Sequence, residues 1–385
     1  LPARRIMLFL PGMNRLQTML ACALLGTMAI TEVAAQENHK STEVPAAVMQ
    51  QVYEKVKTPY KYGLVKVPQT NAQKIDCPTV FRKGDTWYMT YVIFDGTGYE
   101  TWQSSSKDLL HWSKGDRILS FSDTTQWDGV HKAGYPALQD FQWDGSYALQ
   151  PYQKKYWLSY FAGNVKGYEA GPLALGIACI PQRKLTSGRE WTRAKAPIFT
   201  ASDKDVRWWE NRKLFKSTVI WDTAKTTGYP FVMYYNANGD SAANNIKTRW
   251  YERIGMAVSN DMLHWKRFIQ EPVVHHSMGI TGDPVIRKMD DVWVMFYFGA
   301  FWKGRKDAFN RFSCSYDLVH WTDWEGQDLI NSSEDYDRKF AHKSYVVKFN
   351  GVVYHFYCAV NNKDQRGIAV ATSADLGKST LQFVQ

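Results

Sequence analysis

The 385-residue sequence predicts an all-β chain folded as a five-bladed β-propeller in a single domain. Three observations carry that expectation: a short motif that recurs along the chain, an aromatic strand ahead of each copy, and turn residues at hairpin spacing between strands. The motif reads Ser104-Ser-Ser-Lys-Asp-Leu-Leu-His-Trp112 and returns as Ala257-Val-Ser-Asn-Asp-Met-Leu-His-Trp265 and as Ser313-Cys-Ser-Tyr-Asp-Leu-Val-His-Trp321. A truncated copy, Ala371-Thr-Ser-Ala-Asp-Leu376, and a worn one running from Ile177 through Leu185 to Trp191 bring the count to five. Units of this size cannot bury both faces alone, and radial stacking against neighbours covers them and protects their edges.

Each unit is read as an inner strand, a turn, an aromatic strand and a third strand that ends in the motif. The inner strands are placed at residues 79–81, 148–150, 218–221, 285–287 and 345–347, and the aromatic strands at 86–91, 155–160, 230–235, 292–297 and 352–357. Alternation and aromatic enrichment support the second set. Lys83-Gly84-Asp85 and Asn350-Gly351 supply the turn chemistry that hairpins need. Within the motif the Asp suits a turn or short cap, the Leu and Trp lock adjoining sheets, and the His is structural because it travels with the repeat. An amphipathic helix competes only at residues 45–57.

From Met13 the chain reads as a charged start, an apolar stretch from Leu16 to Ile30, and the small-residue site Val33-Ala34-Ala35. That layout is a secretory signal cut after Ala35. The apolar stretch is too short for a membrane span, so the expected destination is secreted or periplasmic. Cys22 raises a lipoprotein reading, which its lead-in Met19-Leu20-Ala21 fits poorly. The expected organisation is therefore residues 1–35 as signal with upstream residues, 36–69 as a lead-in, and 70–385 as the propeller. The four cysteines beyond the signal, Cys77, Cys179, Cys314 and Cys358, each sit in a strand-like run and are read as buried free thiols, with no zinc spacing. The formal charge of +10 is scattered without a basic stripe. This argues against nucleic acid as a partner and fits a preference for an anionic glycan.

In a propeller the first strand of each unit lines the axis, so residues at its start converge on one mouth. The sequence offers Asp76, Asp144, the stretch Trp208-Trp209-Glu210, Asp283, and His342-Lys343 at those places. Glycosidic cleavage needs one carboxylate as base or nucleophile and a second, with raised pKa, to protonate the leaving oxygen. Carboxyls crowded at one mouth push their pKa values apart and so divide these roles.

On these residues the chain resembles the glycoside hydrolases of family 43 and its relatives, families 32, 62, 117 and 130, over roughly residues 70–380. The resemblance implies that Asp76, in Ile-Asp-Cys-Pro-Thr-Val-Phe, is the catalytic base. It makes Glu210, in Glu-Asn-Arg-Lys-Leu-Phe-Lys, the general acid. It also makes His342, in Ala-His-Lys-Ser, a ligand of a structural calcium ion (Ca2+) in the central channel or of its water shell, no cofactor being required. The family's second-unit Asp is missing, since Ala148 stands at its place. Asp144 is the nearby stand-in for substrate contact, and Asp283, in Gly-Asp-Pro-Val-Ile, copies the Asp76 pattern as a third catalytic carboxylate. Trp208 and Trp209 are read as stacking on substrate, and Lys343 and Arg287 as contacts to an anionic sugar; His342 serves equally as a substrate contact.

The expected function is an exo-acting, inverting glycosidase that removes a terminal sugar from a plant or algal oligosaccharide or polysaccharide. Two alternatives stay open: a family-130-type phosphorylase using Arg212, Lys216, Arg287 and Lys343, and a glycan-binding propeller without catalysis. The insertion at residues 236–253 is read as a specificity loop.

Overall fold

The computed structural model describes residues 42–185, 191–239 and 251–384. The signal read at residues 1–35 and residues 240–250 of the insertion lie outside them. The described chain is nearly all-β, with twenty strands and one α-helix.

Strands β2 (Lys74–Lys83), β3 (Thr86–Phe94), β4 (Tyr99–Ser106) and β5 (Asp116–Leu119) form a four-stranded antiparallel sheet in chain order. β6 (His131–Pro136), β7 (Lys155–Gly163), β8 (Ala174–Pro181) and β9 (Thr192–Arg193) form a second. A third set comprises β10 (Lys213–Trp221), β11 (Phe231–Asn238), β12 (Glu252–Ser259) and β13 (Trp265–Arg267). A fourth comprises β14 (Ile280–Met289), β15 (Val292–Ala300), β16 (Ala308–Ser315) and β17 (Thr322–Asp323). These last two sets are joined only by the parallel pair Glu252 and Ile280. The final sheet holds β18 (Phe340–Phe349), β19 (Val352–Val360) and β20 (Arg366–Thr372), and its outer strand is β1 (Tyr60–Lys66) from the other end of the chain. Tyr60 pairs opposite Thr372, so residues 60–66 of the expected lead-in belong to the same sheet as the last repeat. Ahead of β1, helix α1 (Ala46–Val56) buries Met49, Val52 and Val56, and its Tyr53 stacks on Trp324 at 5.3 Å.

The first strands touch one another in sequence: β10 lies against β6 and β14, β14 against β18, and β18 against β2, while β6 packs on β3 and β4. Every residue of β11 and β15 is buried. A strand covered on both faces favours apolar residues on both, which is why the runs at residues 231–235 and 292–298 are continuous rather than strictly alternating.

One strand placement is corrected. The inner strand expected at residues 148–150 is β6, and residues 148 and 149 make only isolated bridges to Arg82 and Gln139. The reason is Gly134 in the middle of β6, where a Cβ would stand 2.7 Å from Leu158 Cδ2 and 3.0 Å from Thr101 Oγ1. Close approach demands bare backbone there, and so removes the apolar pattern that would mark the strand.

The motif is a built turn. Ser106 Oγ accepts the N–H groups of Asp108 and Leu109, while Asp108 Oδ1 accepts those of Leu110 and His111. Asp108 Oδ2 pairs with His111 Nδ1 at 2.7 Å, and Trp112 Nε1 donates to the Leu109 carbonyl at 3.0 Å. The copies repeat this, with Asp261 and His264 at 2.7 Å and Asp317 and His320 at 2.6 Å. The apolar residue in the middle adopts the left-handed region in all three: Leu109 at φ 68°, Met262 at 69° and Leu318 at 69°. That conformation costs about 1–2 kcal/mol for a residue with a Cβ. Each of the three is fully buried, which returns about 1.5–3 kcal/mol.

Candidate active site

The inner strands β2, β10, β14 and β18 each carry a register shift near the same end. In three of them the bulged residue is left-handed: Cys77 at φ 52°, Asp283 at 57° and Lys343 at 64°. A bulge bends the strand and re-aims side chains. Here the affected residues turn into a cavity of about 950 Å³. Its walls include Asp76 and Cys77 from β2, Tyr135 from β6, Phe215 and Lys216 from β10, Asp283 from β14, and His342 and Lys343 from β18. Further lining comes from Asn236 of β11, Glu252 of β12, Arg366 of β20, and Tyr168 and Glu169 of the loop between β7 and β8.

Asp76 is buried and fully engaged. Its Oδ1 accepts the Cys77 N–H at 2.9 Å, while Oδ2 pairs with Lys343 Nζ at 2.8 Å and Arg366 Nη1 at 2.7 Å. Burial works to raise its pKa, but the ammonium and guanidinium together hold the carboxyl well below the usual range. Arg366 Nη1 also donates to the Tyr168 hydroxyl at 3.0 Å, tying the 164–173 loop to this cluster.

Two other carboxyls have the opposite character. Glu252 accepts a hydrogen bond from Asn236 Nδ2 at 2.8 Å, and its pKa is pushed up to about 8 by burial and then by the charge of Glu169. Glu169 is likewise raised, by burial first, against the pull of Lys343 and Arg366. Its backbone is left-handed at φ 49°, and its carbonyl accepts from Lys213 Nζ. Two buried carboxyls with raised pKa thus share one cavity with the strongly acidic Asp76, an environment that separates carboxyls by their proton affinity. Lys216 lines the same cavity, 2% exposed; among the described residues its Nζ has no hydrogen-bond partner, and it lies 5.5 Å from the Tyr135 ring.

Of the residues expected from sequence, Asp76, Asp283, His342 and Lys343 meet in this cavity. Asp283 is buried there, with Cys77 Sγ 3.6 Å from its Oδ2. Glu210 does not line it. It is fully buried in an ion pair with Arg267 Nε, accepts the Arg207 N–H at 2.9 Å, and takes the Tyr235 hydroxyl on its other oxygen. Both of its oxygens are thus engaged, Oε1 by Arg267 and the turn at residues 207–210, and Oε2 by Tyr235 of β11. Trp209 is fully buried against Tyr235, and Trp208 lies 37% exposed under Arg253; neither lines the cavity. Asp144 is half exposed and pairs with Lys348 at 2.7 Å, at the end of β18 remote from His342. Arg287 also lies away from the cavity, between the rings of Tyr147 and Tyr345.

Glu169 and Glu252 escape the sequence reading because neither opens a first strand. Glu252 opens a third strand, at the end of the 236–253 insertion. Glu169 sits in Gly167-Tyr-Glu-Ala-Gly171, whose glycines are the one local hint of a shaped loop.

Ligand atoms of Asp76, His342 and Cys358 lie within 4.8 Å of one another. They do not fit calcium, which takes about six to eight oxygen ligands. The single carboxylate is already paired with two cations, burial keeps the Cys358 thiol protonated, and burial pushes the His342 imidazole down to about 3.

No protein-family model and no curated protein matches the chain. Solved structures do. One described as a BT0996 RGII complex is 52% identical, with a TM-score of 0.85 over 89% of this chain and 99% of that one. Another, described as a glycoside hydrolase, is 51% identical with the same coverage and TM-score. A thermostable family-43 glycoside hydrolase shares the fold at 14% identity, with a TM-score of 0.54 over 80% of this chain and 91% of its own. The likeness at 51–52% identity over 89% of the chain makes this a carbohydrate-cleaving enzyme. The chain belongs to the glycoside hydrolases, in the group with family-43-like architecture.

Proposed function

We propose that the chain is an exported, exo-acting glycosidase in which Glu252 is the general acid and Glu169 is the carboxylate on the other side of the anomeric carbon. The observation that carries this reading is the raised pKa of Glu252, brought about by burial and the charge of Glu169. An acid with pKa near 8 keeps its proton at neutral pH and delivers it to the departing oxygen. Glu169 then directs a water molecule, which gives inversion. Asp76 is too weak a base for that step, because its charge is neutralised by Lys343 and Arg366. Its role is to hold those two cations against the sugar hydroxyls.

The five four-stranded sets are read as blades closed in a ring. The order of contacts among first strands and the pairing of β1 with β20 support this. Residues from all five sets of strands converge on one cavity of about 950 Å³, which favours a terminal sugar. Seven lysines and arginines line the cavity against four carboxyls, which favours an acidic glycan. RGII, named in the description of the 52%-identical structure, is the first candidate.

The test is a panel of acidic and neutral plant oligosaccharides with proton NMR of the first product. One terminal sugar released with inverted configuration supports the reading. A retained configuration makes Glu169 a nucleophile instead, turnover that needs inorganic phosphate makes the enzyme a phosphorylase, and binding without cleavage removes catalysis altogether.

A further inference from the structure

Next to the catalytic cavity lies a second, smaller one of about 20 Å³, which shares with it only Tyr135. A site holds one water-sized occupant at roughly 10–15 Å³ or more. The walls are mainly apolar, with Phe141, Val219 and Ile286 among them. Three of the polar side chains that line it, Thr79, Tyr135 and Arg287, each keep an atom without a hydrogen-bond partner among the described residues.

Arg287 is the informative one. It is 2% exposed, and among the described residues no carboxylate pairs with it. Its Nε donates to the Val346 carbonyl at 3.1 Å, and its Nη1 donates to the Ile286 carbonyl at 3.0 Å and Gln139 Oε1 at 3.4 Å. All of these acceptors are neutral. The unpartnered atoms are its Nη2 and the hydroxyls of Thr79 and Tyr135. Rings of Tyr147 and Tyr345 lie 5.2 and 5.0 Å from the guanidinium and soften the charge without cancelling it. A buried cation without a counter-ion is strongly destabilising, and unsatisfied hydroxyls on residues that line the same void add to that cost.

We propose that this cavity binds one small monovalent anion of the halide class. Arg287 Nη2, the Tyr135 hydroxyl and the Thr79 hydroxyl donate to it, and the apolar walls exclude a larger or hydrated ion. The anion supplies the charge that the protein withholds from Arg287.

The probe is bromide. Crystals of the protein grown in sodium bromide and measured above the bromine absorption edge are expected to show an anomalous peak between Arg287, Tyr135 and Thr79. In solution, Tm is expected to rise and saturate with bromide relative to gluconate at fixed ionic strength. Thr79→Val keeps the side-chain shape and removes one donor, and should move the bromide midpoint about tenfold higher. Density there without anomalous signal, as for a water, overturns the proposal. So does a Tm that is the same in bromide and gluconate. Neither measurement depends on turnover, so failure here is separate from failure of the catalytic assignment.

Discussion

Replacing Glu252 by Gln tests the catalytic assignment most directly. The carboxyl's pKa stands at about 8 against an ordinary 4.5. At pH 7 the native acid is then about nine-tenths protonated, whereas at the ordinary value it would be well below one-hundredth. General acid catalysis contributes about 10²–10⁴-fold, so kcat on an unactivated glycan should fall about 1,000-fold in the variant. An aryl glycoside whose leaving group departs as a stable anion needs no proton, and should lose less than about tenfold. The native pH profile should decline on the alkaline side through about 8, and that limb should be absent in the variant. Stability follows the same sign. The folded state holds this proton more tightly than the unfolded chain, so its contribution is complete below about pH 4.5 and fades as pH rises towards 8. The assay is kcat and KM on both substrates across pH 5–9, with circular dichroism to verify folding. More than about one-tenth of native turnover on the glycan, or an unchanged alkaline limb, refutes the argument.

Three further outcomes are expected. Glu210→Gln breaks the buried pairing with Arg267 and should cost about 3–5 kcal/mol in urea unfolding, with kcat per folded molecule within about twofold of native; a large loss of kcat at unchanged stability would return Glu210 to the mechanism. Asp76→Asn releases Lys343 and Arg366. The native carboxyl is held below its ordinary value of 3.8, so its stabilisation is present above that pH and is lost as pH falls below it. Acid unfolding of the variant should lack this component, and an identical acid limb contradicts the ion cluster. Asp144→Ala removes an exposed pair with Lys348 and should change stability by less than about 1 kcal/mol, with activity on the glycan unaltered.

Most of the strand plan was legible in the sequence because it rests on local rules. The Ser-x-Asp-Leu turn, with its Asp108–His111, Asp261–His264 and Asp317–His320 pairs, is closed by residues within a few positions of each other. The aromatic strands announce themselves because they are buried on both sides. The pattern misplaces β6 because its signal is erased by a contact with Leu158 and Thr101, which lie far from Gly134 in the chain.

The site divides along the same line. From the sequence alone came the repeat, the expectation of a carbohydrate-active fold, and the convergence of Asp76, Asp283, His342 and Lys343, since each opens a first strand in register with the repeat. Tertiary structure decided what those groups can do. Asp76 and Glu210 are both buried acids with cationic partners, yet one faces a cavity and the other a closed turn, and those partners, Lys343 and Arg366 for Asp76 and Arg267 for Glu210, come from strands distant in sequence. Glu169 and Glu252 come from a loop and a third strand 83 positions apart in sequence, and both are raised by burial first, Glu252 then by the charge of Glu169 and Glu169 by that of Asp76. A proton's affinity depends on distance and solvent exclusion in space, and neither is written in the local order of residues.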